Sequence, residues 1–312
     1  MTTSLDWRVY CELYRQTPDP LWGLFPHPSV NAIAKRLGIT RGTVWRRLIE
    51  WQKIGFLKGF EIIPNPTLLG VGLRTYKVKI PDLSARRHFL EELEYIDGMV
   101  SALVQIGADA DLVTISDIAS ARKRREELLT RIEGVASITP GLAMWVPSCA
   151  RNVSLDEWHF ISGLRTNPTI SLGKLADKLG ISAKTASRRY TSLRKDCAIL
   201  GYAAEDFSKF PGVVAGSGII LNPKADPRPV TLAIENDLPD ALELRDMTQA
   251  PGGHSSTLAY LQLIRVAPEV DAISTLKLPG VARVEKFFPG AEIVYRHWFD
   301  ERIAEVLARH GA

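Results

Sequence analysis

The sequence predicts an α+β fold of two like halves, each a winged helix-turn-helix domain followed by a ferredoxin-like β-α-β-β-α-β domain. Three observations predict it. A 32-residue block, Ser29–Phe60, recurs without a gap as Ser171–Tyr202, at an offset of 142 residues; self-similarity on this scale marks a duplicated unit. Each block holds two short helical patterns around a glycine. After each block, strand-like and helix-like runs alternate in the order of a split β-α-β unit. A chain of 312 residues exceeds one average domain. The expected domains are 1–64, 65–150, 151–208 and 209–312.

A helix opens each half. Ser4 and Ser154 are its candidate N-caps, and Leu5, Tyr10 and Tyr14 match Leu155, Phe160 and Leu164. The offset here is 150, so the first half carries eight extra residues before its second helix, within the four-proline stretch Thr17–Ser29. Trp22 and Phe25 in that stretch are either packed on the domain or offered to a partner. Inside the block, Val30, Ile33, Ala34 and Leu37 make one apolar stripe, as do Leu172, Leu175, Ala176 and Leu179. Gly38 and Gly180 follow as left-handed helix ends. Thr40 and Ser182 suit the N-cap of the next helix.

That third helix divides into faces at 100° per residue. Val44, Leu48 and Trp51 point inward, matched by Ala186, Tyr190 and Leu193. The outward face offers small, hydroxyl-bearing and cationic groups, which are the groups able to enter a major groove and reach base edges. The candidate DNA contacts are Thr40, Arg41, Gly42, Thr43, Trp45 and Arg46 in the first copy. In the second they are Ser182, Lys184, Thr185, Ser187 and Arg188. Arg47 and Arg189, at the margin of the stripe, suit a phosphate contact or a structural hydrogen bond. The β-like runs Phe56–Ile63 and Ala198–Ala204 read as wings, each turning at a glycine (Gly59, Gly201), with Lys58 placed to touch the DNA backbone. Charge agrees: the blocks carry +6 and +5 in a chain of net charge +4, leaving −7 on the rest. Basic charge gathered on these modules is the footprint of a nucleic-acid binder.

Val71–Ile80 then reads as a strand and Leu83–Ile96 as an amphipathic helix. Val100–Ile106 and Asp111–Ile115 are strands around Gly107–Ala110, Asp117–Ile132 is a charged helix, and Ala143–Val146 a last strand. The second half repeats this more loosely. Val213–Leu221 is a strand, and a short helix starts near Pro229. Strands Ala241–Met247 and Ser256–Ile264 flank Gly252–His254. A helix over Pro268–Leu278, a strand over Ile293–Trp298 and a helix over Phe299–His310 complete it.

No apolar run approaches the roughly 18–20 residues of a membrane span, and the N-terminus shows no apolar signal core. Cys11, Cys149 and Cys197 lie far apart, which argues for a reducing compartment and against a disulfide framework or zinc site. The six histidines are scattered. No metal, cofactor or catalytic constellation is expected, and the chain reads as cytoplasmic, associated with the nucleoid, and not an enzyme.

With these residues in view, the stretch Leu37–Gly70 resembles the DNA-binding unit and linker of the Lrp/AsnC (leucine-responsive regulatory protein) family of transcription regulators. Gly38, Thr43, Val44, Arg46, Arg47, Gly55 and the Pro66–Gly70 linker carry the resemblance. It implies a ligand-sensing, dimerising ferredoxin-like domain, with Gly107, Asp109 and Asp111 at the position of the family's sensing loop. It also implies a small-metabolite effector such as an amino acid. The family is usually one unit that dimerises, whereas this chain resembles two units fused. That implies an intramolecular pseudo-dimer, with further homodimers or larger rings left open. Cys197 stands where the first copy has Gly55.

The expected function is therefore a sequence-specific regulator of transcription that binds double-stranded DNA with two recognition helices per chain, on half-sites about one helical turn, or a multiple of it, apart. Two alternatives stand beside it. One is an enzyme resembling the sirohaem decarboxylases, which look like this family and need His and Arg near tetrapyrrole carboxylates; His254, Arg296 and His297 are the candidates. The other is a DNA-architectural protein of low specificity.

Overall fold

The computed structural model describes every residue except 1–3, 16–21, 27, 108–109, 150, 223–224, 227, 239–240, 245–256, 265–268, 270, 277 and 312. Each half begins with three helices and a strand. In the first half these are α1 (Leu5–Arg15), α2 (Val30–Leu37), α3 (Arg41–Lys53) and β1 (Leu57–Pro64). The first half continues with β2 (Gly72–Lys79), α4 (Arg86–Glu92), β3 (Met99–Gln105), β4 (Ala110–Asp117), α5 (Arg122–Arg131) and β5 (Ser137–Met144). The second half opens with α6 (Leu155–Thr166), α7 (Leu172–Leu179), α8 (Ala183–Lys195) and β6 (Ile199–Glu205). It then runs through β7 (Val213–Leu221), α9 (Arg228–Asp237), β8 (Leu242–Leu244), β9 (Thr257–Ile264), α10 (Ala272–Thr275) and β10 (Val281–Phe287). Two elements remain, β11 (Pro289–Val294) and α11 (His297–Gly311).

The local chemistry of the repeated block is the same twice. Ser29 and Ser171 cap α2 and α7, accepting from the backbone N–H of Ala32 and Lys174. Gly38 and Gly180 end these helices with φ near 64° in both, a left-handed conformation that favours glycine. Thr40 and Ser182 then accept from the N–H of Thr43 and Thr185, each at 3.1 Å. Ile33 and Val44 enter one core with Trp7, Leu13 and Trp51. Leu175, Ala186 and Leu193 enter another with Trp158, Phe160 and Leu164.

The two sheets share a topology. The first runs β5-β2-β4-β3 and the second β10-β7-β9-β8, antiparallel throughout, so each places its strands in the order 4-1-3-2. One strand breaks the symmetry: β11, from the second half, adds to the free edge of β3 and makes the first sheet five-stranded. The helix side of the first sheet packs Tyr76, Val113 and Ile115 with Phe89 and Leu129. Its other side packs Leu73 and Val100 with Trp298 and Phe299 at the start of α11. The second sheet packs Ile219 and Leu221 on α9 and α10, while its Val214, Leu242 and Leu261 join the core built on α1 and α3. Each half thus completes its core with residues of the other.

The expected wings differ from the structure. Gly59 and Gly201 do not turn between paired strands of one wing. β1 runs through Gly59, with only a register shift there, and pairs antiparallel with β6 in a two-stranded ribbon that joins the halves. The proline-rich stretch explains the second glycine. Gly201 donates to the carbonyl of Trp22 at 2.9 Å. A Cβ on Gly201 would lie 2.8 Å from the Leu24 carbonyl oxygen and from the Phe25 ring. Trp22 and Phe25 are buried, and Arg194 of α8 stacks on the Phe25 ring at 4.2 Å. The segment Trp22–Phe25 is therefore packing that fastens the first half to the second.

Three strands depart from the sequence reading. β5 starts at Ser137, before the expected Ala143, because Pro140 lies in an edge strand, where a missing N–H is tolerated. β10 was not expected as a strand: it is also an edge, its exposed Arg283 and Glu285 removing the apolar signal. The strand expected at Ile293–Trp298 ends at Val294, and α11 begins at His297. The Gly252–His254 loop lies outside the described residues.

Candidate functional site

Two places gather functional groups: the outward faces of α3 and α8, and the seam where the ribbon meets β11, α1 and α6. On α3, Arg41, Gly42, Trp45 and Arg46 are exposed, and Thr43 is half-buried. On α8, Lys184, Thr185, Ser187 and Arg188 are exposed. Arg46 and Arg188 stand at matched positions, and among the described residues neither is ion-paired. The cap hydroxyls are in use, Thr40 with Thr43 at 2.9 Å and Ser182 with Thr185 at 2.8 Å.

Other candidates are brought elsewhere. Arg47 pairs with Glu50 at 3.0 Å and with Asp6 of α1 at 3.6 Å. Arg189 repeats that role, reaching the carboxylate and carbonyl of Asp156 and lying over the Phe160 ring. Both tie the third helix of their unit to its first, the structural of the two roles expected for them. Lys58 turns from the expected backbone contact and donates to the carbonyl of Glu292 on β11 at 3.0 Å. In the expected sensing loop, Gly107 is an exposed turn residue and Asp109 lies outside the described residues. Asp111 is fully buried. It accepts from the Gln105 N–H at 3.0 Å and pairs with Arg86 at 3.0 Å. Burial raises its pKa, against the Gln105 hydrogen bond and the Arg86 charge. Through Arg86 this enclosed carboxylate helps hold α4 on the sheet.

The seam was not singled out in the sequence. Glu61 of β1 is buried and sits opposite Tyr202 in the ribbon. Arg165 of α6 donates to it at 3.0 Å, to Asp300 of α11 at 3.0 Å and to the Arg296 carbonyl at 3.2 Å. Arg296 supplies a second cation to Glu61 at 2.5 Å. Glu205 of β6 lies further along the ribbon, buried, and accepts from Tyr10 at 2.9 Å and Tyr14 at 2.8 Å, both on α1. Burial pushes Glu205 up to about 8, against the two tyrosine hydrogen bonds. Burial likewise pushes Glu292 up to about 7, with Ser101 and Lys58 opposing and Glu61 adding to the rise. Burial raises the Tyr202 hydroxyl too. The signal lies in a single acid in each of two largely apolar strand runs, Glu61 and Glu205, and in an arginine beside the inward Leu164.

His254 lies outside the described residues. Arg296 is half-exposed beside Glu61, and His297 is half-buried at the start of α11. Among the described residues no group of three or more His, Cys, Asp or Glu side chains is placed to hold a metal ion. Among them, too, no helix is long and apolar enough to cross a membrane.

Comparison with known proteins places the fold. Over its whole length the chain is similar to the siroheme decarboxylase NirDL. The match covers 96% of this chain and 99% of that one, with a TM-score of 0.50 and 12% identity. Regulators match half of the chain. AsnC of E. coli covers 49% of this chain at 17% identity and a TM-score of 0.30, over 99% of its own length. A Neisseria meningitidis transcriptional regulator, solved as a complex with L-Met, covers 49% at 14% identity and a TM-score of 0.31, over 94% of its own length. No family model matches the chain, and no curated protein matches it. The expectation that the chain is not an enzyme does not stand, because the solved structure it matches from end to end is an enzyme.

Proposed function

We propose that this chain is a two-unit enzyme of the siroheme-decarboxylase kind, taking a carboxylate-bearing tetrapyrrole as substrate. The observation that carries the proposal is the end-to-end match to NirDL. Loss of CO2 from a carboxylate leaves an electron pair on carbon that must take up a proton. A site for this step needs a cation to seat the carboxylate and a group that keeps a proton near neutral pH. Glu292, pushed up to about 7, precedes Arg296 and His297 within one short stretch. In this reading they would supply the proton holder, the cation (Arg296, which here pairs with Glu61) and an imidazole. Anaerobic titration with siroheme, followed by its absorbance, tests the reading, with released CO2 as the second readout. A saturable spectral change with CO2 release supports it, and unchanged spectra at excess protein abandon it.

A specific observation favours a second reading, compatible with the first: the matched cationic faces of α3 and α8. In it, each three-helix unit works as a helix-turn-helix, and the pair binds duplex DNA as a regulator responsive to a small metabolite. Phosphate contacts would give a steep loss of affinity with salt. Arg46→Ala and Arg188→Ala should each weaken specific binding by about 1–3 kcal/mol, and unchanged affinity in both would sink it.

A further inference from the structure

The two outward faces differ most at one matched position. Trp45 on α3 is 54% exposed, whereas its counterpart on α8 is the exposed Ser187. Of the seven tryptophans, five are buried, Trp145 is half-buried, and Trp45 alone is exposed. Among the described residues it has no ring, hydrogen-bond or cation–π partner. Gly42, on the same face, carries no side chain, and a Cβ there would meet only the Thr40 hydroxyl, at 3.8 Å. Arg41 and Arg46 flank it, exposed. On α8 the corresponding face carries Lys184, Ser187 and Thr191, all polar and exposed.

An apolar ring left in water costs free energy that burial would recover. Cations on either side of the ring favour a polyanion as its cover. In the major groove the apolar feature of a base edge is the thymine 5-methyl group. We propose that Trp45 reads thymine methyl groups, so that the half-site under α3 is thymine-selective while the one under α8 is read through hydroxyl and ammonium groups. The inference rests on the duplex-binding reading.

The test selects duplexes from a random pool with the full chain, then replaces each selected thymine by uracil, which removes only the methyl. Loss of one buried methyl corresponds to about a fourfold loss of affinity. The expected result is that loss at one half-site, its absence in Trp45→Ser, and its appearance at the other half-site in Ser187→Trp. Equal sensitivity of the wild type and Trp45→Ser to uracil overturns the proposal and leaves duplex binding intact. Failure of the wild type to enrich any duplex removes the duplex reading itself, and this inference with it.

Discussion

Glu61 and Glu205 lie on the two strands of one ribbon, and each is reached by the first helix of the other unit, yet they are satisfied in opposite ways. Glu61 meets the Arg165 guanidinium of α6, with Arg296 beside it. Glu205 meets two tyrosine hydroxyls of α1 and, among the described residues, no cation. The first arrangement compensates a buried charge with charge. The second supplies hydrogen bonds alone, so burial dominates and the carboxyl holds its proton to about pH 8. A framework of two like halves thus carries one seam that depends on an ion pair and another that depends on pH.

The largest effect should come from breaking the ion-paired side. Arg165 is 2% exposed and Glu61 5%. Arg165→Met leaves Glu61 short of its main cation and Asp300 without its partner. Removing one member of a buried pair costs about 3–5 kcal/mol, readable as a lower urea midpoint. A midpoint within error of the wild type would mean that Arg296 suffices.

The next effect concerns the uncharged side. Glu205 keeps its proton in the folded chain up to about pH 8, against an ordinary value of 4.5. Between those values folding takes up a proton, so stability is greatest toward pH 4.5 and falls as pH rises to 8. Glu205→Gln mimics the protonated form and should flatten that fall, leaving the share due to Glu292. Melting temperatures at pH 5 and pH 8 decide it, and equal slopes for the two proteins would refute the assignment.

The smallest effect tests a local difference between the copies. Gly55 has φ 77°, and Cys197 in the second copy is held at φ 53°, the one non-glycine residue with positive φ among the described residues. A left-handed side-chain residue costs roughly 1–2 kcal/mol, partly offset here by Cys197 packing near Leu200 and Trp298. Cys197→Gly should raise stability by about 0.5–1 kcal/mol in thermal or urea unfolding. A loss would show that the packing outweighs the strain.

Local spacing alone makes legible the repeated unit, its caps and glycine turns, the outward faces of α3 and α8, and the order of strands and helices in the first half. Those features depend on spacing of a few residues, through helical periodicity and capping, and are readable without knowing what lies opposite. Edge strands such as β10 escaped because their exposed faces carry no apolar alternation. The pairing of β1 with β6, the crossing of β11 to the other half's sheet, and the structural partners of Asp111, Lys58, Arg47 and Arg189 emerge only in the folded chain. The physical reason is distance along the chain. Arg165 and Glu61 are 104 residues apart, and Tyr10 and Glu205 are 195 apart. Whether a lone charged side chain in an apolar run is an error, a site or half of a pair depends on what the folded chain brings against it.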